Sequence, residues 1–521
     1  MSIRRVAVTM AMFASAAIVA PAPAQQPAPI SIAGLGTITF PTSTTSAPAE
    51  STFVRGVLLL HLFEYPRAAA AFRRAQQLDP GMAMAYWGEA MTHTHPVWDD
   101  QDSTAARAVL AKLGATPAAR EARGGTDTER GFLHAIDVLY GPGPKALRDT
   151  LYSNAMADLL KRHPDDDEVR TFYALSLLGL SQGVRVVPTY LHAAAIAESV
   201  FARNPQHPGA AHYWIHGMDD PEHAAGALPA ARALSGIAPD AGHAQHMTSH
   251  IFMALGMWND VVNANVNAMR VVNRNRKGAG RPPTFCGHYN FWLEYGDLEL
   301  GHRDDARALV EQCIKEAEAS TPNGDVDPDS SPLGSAVAMW ARYVLDTEDW
   351  SGDLARWTPA PAPADPAEIT CLFVRGDAAA RRGDLAVARQ ALADFEATRG
   401  RLDQRFAGSG APDDAEYLKR LEILGLELRA DVLLAAEPAR ADSAVTLLRE
   451  ATRIEDGMAF AFGPPAVDKP SHERLGEVLL AEGKATEAKR EFQAALRTTP
   501  NRALVKLGLQ RADSMLSSGS H

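Results

Sequence analysis

Residues 471–500 read SHERLGEVLLAEGKATEAKREFQAALRTTP, and the order of small and large residues in this stretch decides the fold. Pro500 is taken as position 32 of a repeat. Gly476, Ala488 and Phe492 then fall at positions 8, 20 and 24. Small residues at these offsets let two paired helices approach closely, large apolar residues fill the space between them, and proline ends the second helix. The stretch therefore predicts a helix–turn–helix unit.

The same offsets recur near the start of the chain. Positions 8, 20, 24, 27 and 32 are taken there by Gly56, Ala68, Phe72, Ala75 and Pro80. Partial copies lie in residues 376–392 and 301–306. Alanine occurs throughout the chain and aromatic residues make up only 7% of it. Because alanine is the best helix former and β-rich chains favour aromatic and branched residues, the fold class is predicted to be all-α.

The pattern resembles the tetratricopeptide repeat, a 34-residue helix–turn–helix unit, over most of residues 51–515. The resemblance implies an α-solenoid whose first helices line a concave groove with positions 2, 5, 9, 12 and 13. Segments 85–90 and 211–216 are also similar to secreted bacterial repeat proteins. Neither resemblance implies a specific activity, because helical repeats serve many roles.

Composition narrows the classes of partner. The 521 residues carry a formal net charge of −12, which disfavours general binding to nucleic acid. The sequence contains no phosphate-binding loop and no dinucleotide fingerprint, so no nucleotide cofactor is expected. The three cysteines, Cys286, Cys313 and Cys371, can form at most one bridge, and the sequence does not decide whether one forms.

The first 24 residues have the pattern of an export signal. Arg4 and Arg5 precede an apolar run over residues 6–19, and small residues at 22–24 give a cleavage site. The mature protein is therefore expected to begin at Gln25, to be periplasmic or secreted, and to have no integral membrane segment.

Loop-rich composition suggests the further division of the chain. The expected order is a flexible leader, an N-terminal array, an irregular helical bridge with linkers, a C-terminal array and a short tail. These segments cover residues 25–50, 51–318, 319–366, 367–515 and 516–521.

Histidines carry the main functional signal. Six of the 17 histidines lie within residues 212–250. His212 and His216 occupy positions 5 and 9 of one repeat, and His246 and His250 occupy the same positions 34 residues later. Within each pair the spacing of four places both rings on one helix face. The four rings are therefore expected to share one pocket in the concave groove.

This arrangement is typical of metal ligands. His243 and Asp219 take positions 2 and 12 and are expected at the edge of the same pocket. Imidazole nitrogens suit Zn, Cu or Fe, and a single tetrahedral ion would need four nitrogens roughly 3–4 Å apart. The predicted metal residues are His212, His216, Asp219, His243, His246 and His250. Open coordination positions could support catalysis, although the sequence does not indicate a reaction class.

A second set of residues is predicted to contact a ligand in the groove. It combines further histidines with a carboxylate and an aromatic wall: His61, Glu89, His93, His95, His223, His288, Trp292 and Tyr295. The occupant could be a peptide, a protein or a small organic ligand. Two functions remain open. The first is an exported protein with a metal-binding site that could also be catalytic, and the second is a peptide- or protein-binding periplasmic scaffold without metal or catalysis.

Overall fold

The computed structural model of the protein describes residues 28–320, 331–361 and 365–518. Within these residues the chain forms 23 α-helices and four very short strands. The helices of the N-terminal part are Ala47–His61 (α1), Tyr65–Leu78 (α2), Ala83–Met91 (α3), Ser103–Leu113 (α4), Pro117–Glu121 (α5), Asp127–Leu139 (α6), Lys145–Arg162 (α7), Asp167–Leu178 (α8), Val187–Arg203 (α9), Pro208–Met218 (α10), Leu228–Ile237 (α11), Gly242–Ala254 (α12), Trp258–Gly278 (α13), His288–Leu300 (α14) and Arg303–Ala319 (α15). The later helices are Pro332–Thr347 (α16), Pro366–Arg382 (α17), Leu385–Phe406 (α18), Pro412–Ala436 (α19), Ala441–Glu455 (α20), Ser471–Ala481 (α21), Ala485–Thr498 (α22) and Ala503–Ser518 (α23).

Apart from α4 and α5, consecutive helices pack as neighbours throughout the described residues, which is the contact pattern of a solenoid. Short 3-10 turns connect some of them, at Pro96–Trp98, Gly179–Ser181, Ala224–Ala227, Leu354–Arg356 and Pro438–Arg440. The all-α class and the architecture of tetratricopeptide-like helix pairs are thus as predicted. No helix in the described part of the chain combines the length and the apolar character that crossing a bilayer requires.

The repeat register explains how the pairs close. A Cβ on Gly476 would lie 2.7 Å from the ring of Phe492, and a Cβ on Gly508 would lie 2.4 Å from the same ring. Phe72 is enclosed in the same way, since Cβ atoms on Gly56 and Gly88 would lie 2.6 and 2.3 Å from it. Each phenylalanine therefore fits between the position-8 glycines of two successive first helices.

The expected flexible leader is wrong for residues 28–50. Strands Ile30–Ile32 (β1) and Gly36–Ile38 (β2) pair as an antiparallel hairpin. Phe40 is buried and packs against the rings of Phe53 and Phe132, and α1 begins already at Ala47. A few apolar residues within a polar composition supply the buried area that orders this segment.

The structure describes none of the predicted export signal and only part of the predicted bridge and tail. The export signal (1–24), residues 321–330 and 362–364 of the expected bridge and residues 519–521 of the tail lie outside the described residues. The rest of the bridge contains α16, which packs against α14, α15 and α17.

The second pair of short strands, Thr94–His95 (β3) and Asp100–Gln101 (β4), closes a small antiparallel loop after α3.

A disulfide joins Cys286 and Cys313, and Cys371 is free. The bridge connects the segment that precedes α14 to the buried side of α15. It therefore fixes the start of α14, where His288 is the first residue.

The C-terminal array folds back onto the N-terminal one. The indole of Trp258 donates to the carbonyl of Asn501 at 3.2 Å. Arg502 reaches Glu299 on α14 at 3.0 Å and Asp346 on α16 at 2.6 Å. These contacts place the loop between α20 and α21, residues 456–470, over the first helices of the N-terminal array; we call this segment the covering loop.

Candidate metal centre

Three successive first helices, α10, α12 and α14, contribute six histidines to one region. His212 and His216 stand one turn apart on α10 because their spacing is four. His243, His246 and His250 lie on α12, and His288 begins α14. The five histidines of α10 and α12 are 0–7% exposed, whereas His288 reaches the surface.

The six rings divide into two groups of three. The first His trio consists of His212, His216 and His243; one ligating nitrogen from each ring lies within 4.8 Å of the other two. The Nε2 atoms of His212 and His243 are 3.2 Å apart. The buried Nε2 of His216 has no hydrogen-bond partner in the described part of the chain. An imidazole nitrogen buried without a partner is costly unless something binds it.

The second His trio consists of His246, His250 and His288, with the same 4.8 Å limit. The Nε2 atoms of His246 and His250 are 3.1 Å apart. The Nδ1 of His250 faces a carboxylate oxygen of Asp219 at 2.5 Å, and the Nδ1 of His246 faces the amide oxygen of Asn265 at 2.7 Å. Both Nδ1 atoms must donate to these acceptors, so in neutral rings both Nε2 atoms present lone pairs. Two lone pairs 3.1 Å apart repel, and a cation between them removes the repulsion.

Acceptors behind the rings fix the direction of the inner nitrogens. The Nδ1 of His212 donates to the backbone carbonyl of His61 at 2.6 Å. The amide nitrogen of Asn265 donates to the carbonyl of Val261, which leaves its oxygen facing His246. Hydrogen bonds from the outer ring nitrogen are the usual means by which proteins orient metal-binding histidines.

The structure differs from the predicted metal site in two details. Asp219, expected at the edge as a ligand, hydrogen-bonds the outer nitrogen of His250 and orients that ring. The four histidines at repeat positions 5 and 9 do not form one set of four. His243 joins the pair on α10, and His288, predicted only as a groove contact, joins the pair on α12.

Burial favours the neutral form of four of the six rings. Removal from water lowers the pKa of His212 to about 3 and lowers the pKa values of His216, His243 and His246 well below 6.5. The neighbouring histidines add to this effect, and no carboxylate counteracts it at these four rings. Neutral imidazole is the form that binds metals.

Aromatic side chains enclose the rings. Phe63 contacts His212 with 4.4 Å between ring centroids, Trp292 contacts His250 at 4.3 Å, and Tyr289 stacks on His246 at 4.5 Å. Phe462 of the covering loop lies 5.5 Å from His250. The histidine face was predicted to open into the groove. Instead, residues distant in sequence cover it.

A cavity of about 200 Å³ lies between the covering loop and the second His trio. Asp219 and His250 form its inner wall, and Trp258 and Tyr295 line it from the N-terminal array. The covering loop and the ends of α20 and α22 supply the opposite wall, which includes Glu455, Asp456, Met458, Phe460, Ala466 and Val467. Tyr295 and Trp292, both predicted as groove contacts, are 1% exposed.

The remaining groove residues do not form one surface. Glu89 pairs with Gln76 at 2.7 Å and Arg73 at 3.4 Å, away from His61. His93 is half-buried, with its pKa lowered by desolvation, and His95 stacks on Tyr65 at 4.0 Å.

His223 has a supporting position rather than a ligand position. It pairs with Asp220 at 2.8 Å. Asp220 in turn binds Arg185, and Arg185 donates to the carbonyl of His216 at 3.0 Å. This chain of contacts fixes the end of α10.

Sequence reasoning missed a buried network behind the first His trio. Glu168 binds the Nε2 of His61 at 2.8 Å and lies 3.3 Å from the Nε2 of His207. Burial alone would raise the pKa of Glu168, but the two imidazoles outweigh it and lower that pKa to about 2. His61 donates to this carboxylate and His207 lies beside it, so the network fixes His61, whose carbonyl holds His212. The only sequence signal was an acidic residue within an apolar helix, which also fits an N-terminal cap.

The chain has neighbours among solved structures at low sequence identity. No family model and no curated relative matches the chain. Among solved structures, the P58(IPK) tetratricopeptide domain is 14% identical, with a TM-score of 0.21 and coverage of 91% of this chain and 99% of that one. The Cut9 chain of the APC/C Cut9–Hcn1 hetero-tetramer scores 0.35 at 13% identity, covering 89% and 76%. Yeast Tom70 scores 0.31 at 10% identity, covering 91% and 89%. At these scores the comparisons carry no functional argument.

Proposed function

We propose that this tetratricopeptide-like solenoid is an exported protein that binds transition-metal ions at the two His trios. The observation that supports the proposal is the direction of the ring nitrogens. Acceptors fix Nδ1 of His212, His246 and His250, so that the inner nitrogens converge as lone pairs. A metal ion would bind such lone pairs, and it would also bind the buried Nε2 of His216, which has no hydrogen-bond partner in the described residues.

Metal analysis of the purified protein tests this proposal. Zn, Cu or Fe should copurify in a fixed ratio to protein and survive dialysis against a weak chelator. His246→Gln should lower the metal content, because it removes one inner nitrogen while keeping a polar side chain of similar length. His192→Gln is the matched control, since His192 is exposed on α9 and outside both trios. Metal-free protein whose melting temperature is unaffected by added Zn, Cu and Fe would refute metal binding.

Export is supported by the disulfide between Cys286 and Cys313, because such bonds persist mainly outside the reducing cytoplasm. The amino-terminal pattern at Arg4 and Arg5 provides the independent argument. N-terminal sequencing of protein recovered outside the cytoplasm should give Gln25 as the first residue. Recovery of a chain that still begins at Met1 would count against export.

A catalytic role on a small organic molecule is the second candidate function. The observation that favours it is the 200 Å³ cavity, which brings a bound molecule against His250 and Asp219. Its walls combine aromatic rings with three carboxylates and with the cationic groups of Arg497 and His472, which suits a compact aromatic molecule with a charged group.

Benzylamine is a suitable probe of this cavity. Calorimetric titration should show binding that Ala466→Leu removes, because Ala466 lines the cavity, while the metal content is unchanged. Ala360→Leu, at an exposed position outside the cavity, is the control. Unchanged affinity in Ala466→Leu would exclude the cavity as the binding site.

The alternative function, a scaffold that binds a peptide or protein, concerns the rest of the concave surface. Near the second His trio the covering loop occupies the path that an extended peptide would take, with Phe462 against His216 and His250. A peptide or protein partner elsewhere on the solenoid stays a prediction.

A further inference from the structure

The division of the six histidines into two trios bears on how many ions bind and on the charge of each ion. We infer that each trio holds one ion and that the ions are monovalent copper, Cu(I). This inference rests on the proposed function, because it specifies the occupants of the same site.

Ring spacing supports two ions rather than one. Within the first His trio, the ring centroid of His212 lies 4.8 Å from that of His216 and 5.0 Å from that of His243. Within the second, His246 lies 4.9 Å from His250 and 4.6 Å from His288.

Contacts between the trios are longer. The centroid distance is 5.7 Å for His216 and His250, and 6.0 Å for His243 and His246. The short Nε2 contacts, 3.2 and 3.1 Å, also fall within a trio. The geometry thus provides two centres, each with three nitrogens. They are adjacent through the contacts of His216 with His250 and of His243 with His246.

Charge limits which ions these centres can hold. All six ligating atoms belong to imidazole rings, and five of the rings are 0–7% exposed. Asp219 is the one carboxylate in the described residues that hydrogen-bonds a trio ring. Two divalent ions would bring four positive charges into this buried region against one negative charge, and burying uncompensated charge is costly. Two Cu(I) ions halve that charge.

Three nitrogens per trio do not complete a structural zinc site, and a catalytic zinc ion would need a water as the fourth ligand. Structural zinc almost always takes four protein ligands, and catalytic zinc sites hold three protein ligands plus a water. Each trio offers three imidazole nitrogens within a wall of Phe63, Trp292 and Tyr289. Imidazole suits copper as well as zinc and iron, and among these metals the monovalent copper ion adds the least charge to the buried site.

The test is anaerobic loading of the full mature protein with Cu(I), in competition with the chelator bicinchoninate, followed by copper and protein quantification. Wild-type protein should retain two copper ions per chain. His216→Gln should retain one, because only the first trio is impaired. His288→Gln should also retain one; its surface position makes this variant the safer one for folding. Circular dichroism verifies that both variants keep their helix content, and His192→Gln should retain two.

The outcomes separate the two proposals. Retention of one ion per chain by wild-type protein, or loss of all copper in His288→Gln with intact helix content, would overturn the two-ion inference. Retention of Zn(II) in preference to Cu(I) when both are offered would overturn the copper inference while leaving metal binding intact. Retention of no transition metal at all would instead overturn the proposed function.

Discussion

At the scale of single residues, the metal centre depends on hydrogen-bond acceptors that lie behind the histidine rings, on the side away from the proposed ions. Asp219 ends α10 and reaches across to His250 on α12, so one carboxylate fixes a ring on the neighbouring helix. Asn265 on α13 acts in the same way on His246. The rings are therefore oriented before any ion binds, which reduces the entropy cost of binding.

Asp219→Asn tests this role. The amide keeps the shape but removes the negative charge that draws the Nδ1 proton of His250, so metal affinity should fall about 10- to 100-fold. Competition titration with a chelator measures the change. Asp260→Asn, on the exposed side of α13, should leave affinity unchanged. Equal affinity in the two variants would show that Asp219 does not orient the site.

At the scale of elements, two phenylalanines decide how closely the first helices approach. Phe492 lies against Gly476 on α21 and Gly508 on α23, so the glycines form the walls of one slot. No side chain larger than hydrogen fits there without moving the ring, because the added Cβ would lie under 3 Å from it.

Gly476→Ala should lower the free energy of unfolding by about 1–3 kcal/mol through overpacking. Gly400→Ala is the matched control, since Gly400 lies in the middle of α18 with open space where its Cβ would be. That control should be neutral or stabilising, because alanine favours helix. Urea denaturation measures both; an unchanged midpoint for Gly476→Ala would contradict the repeat register.

The first turn of α21 carries a pH-dependent contact. His472 binds Glu491 on α22 at 2.7 Å and Asp456 of the covering loop at 3.1 Å. Burial lowers its pKa, but the hydrogen bonds to the two carboxylates outweigh burial and raise the pKa above 6.5. A raised pKa in the folded state means that this stabilisation is complete below pH 6.5 and is lost as the pH rises through the folded-state pKa.

His472→Gln should therefore destabilise the protein clearly at pH 5.5 and much less at pH 9. Denaturation midpoints at the two pH values measure the difference, and His192→Gln should show no such dependence. A penalty that is equal at both pH values would mean that the charge of His472 contributes nothing.

At the scale of the whole molecule, buried arginines join the two arrays. Arg502 is 0% exposed and connects Glu299, Asp346 and Glu473, which stand on α14, α16 and α21. Its removal would leave Glu299 and Glu473 buried without their paired guanidinium and Asp346 with Arg342 alone, which is far more costly than the loss of a surface pair.

Arg502→Met should destabilise the protein by about 3–5 kcal/mol and release the covering loop. Limited proteolysis within residues 456–470 should become faster, and bound metal should exchange faster. Arg449→Met, which removes an exposed pair with Glu487, is the control and should behave like wild-type protein. Unchanged proteolysis in Arg502→Met would show that the arrays are held together by other contacts.

The sequence by itself determined the helix pairs and the histidines that come together. Small and large residues at fixed offsets specify which helix faces pack, and spacings of 4 and 34 place His212, His216, His246 and His250 on equivalent faces of adjacent first helices. Both are properties of local periodicity, which can be read along the chain.

The tertiary structure alone decided how the histidines divide, what orients them and what covers them. His288 joins the second His trio through the position of α14, and Phe462 covers it from a loop more than 200 residues beyond α12. Glu168 acts on His212 through His61, although the three residues lie on different helices. The N-terminal hairpin is ordered by the same kind of contact. These outcomes depend on contacts between distant segments, and no periodicity within one segment records which distant residue will pack against it.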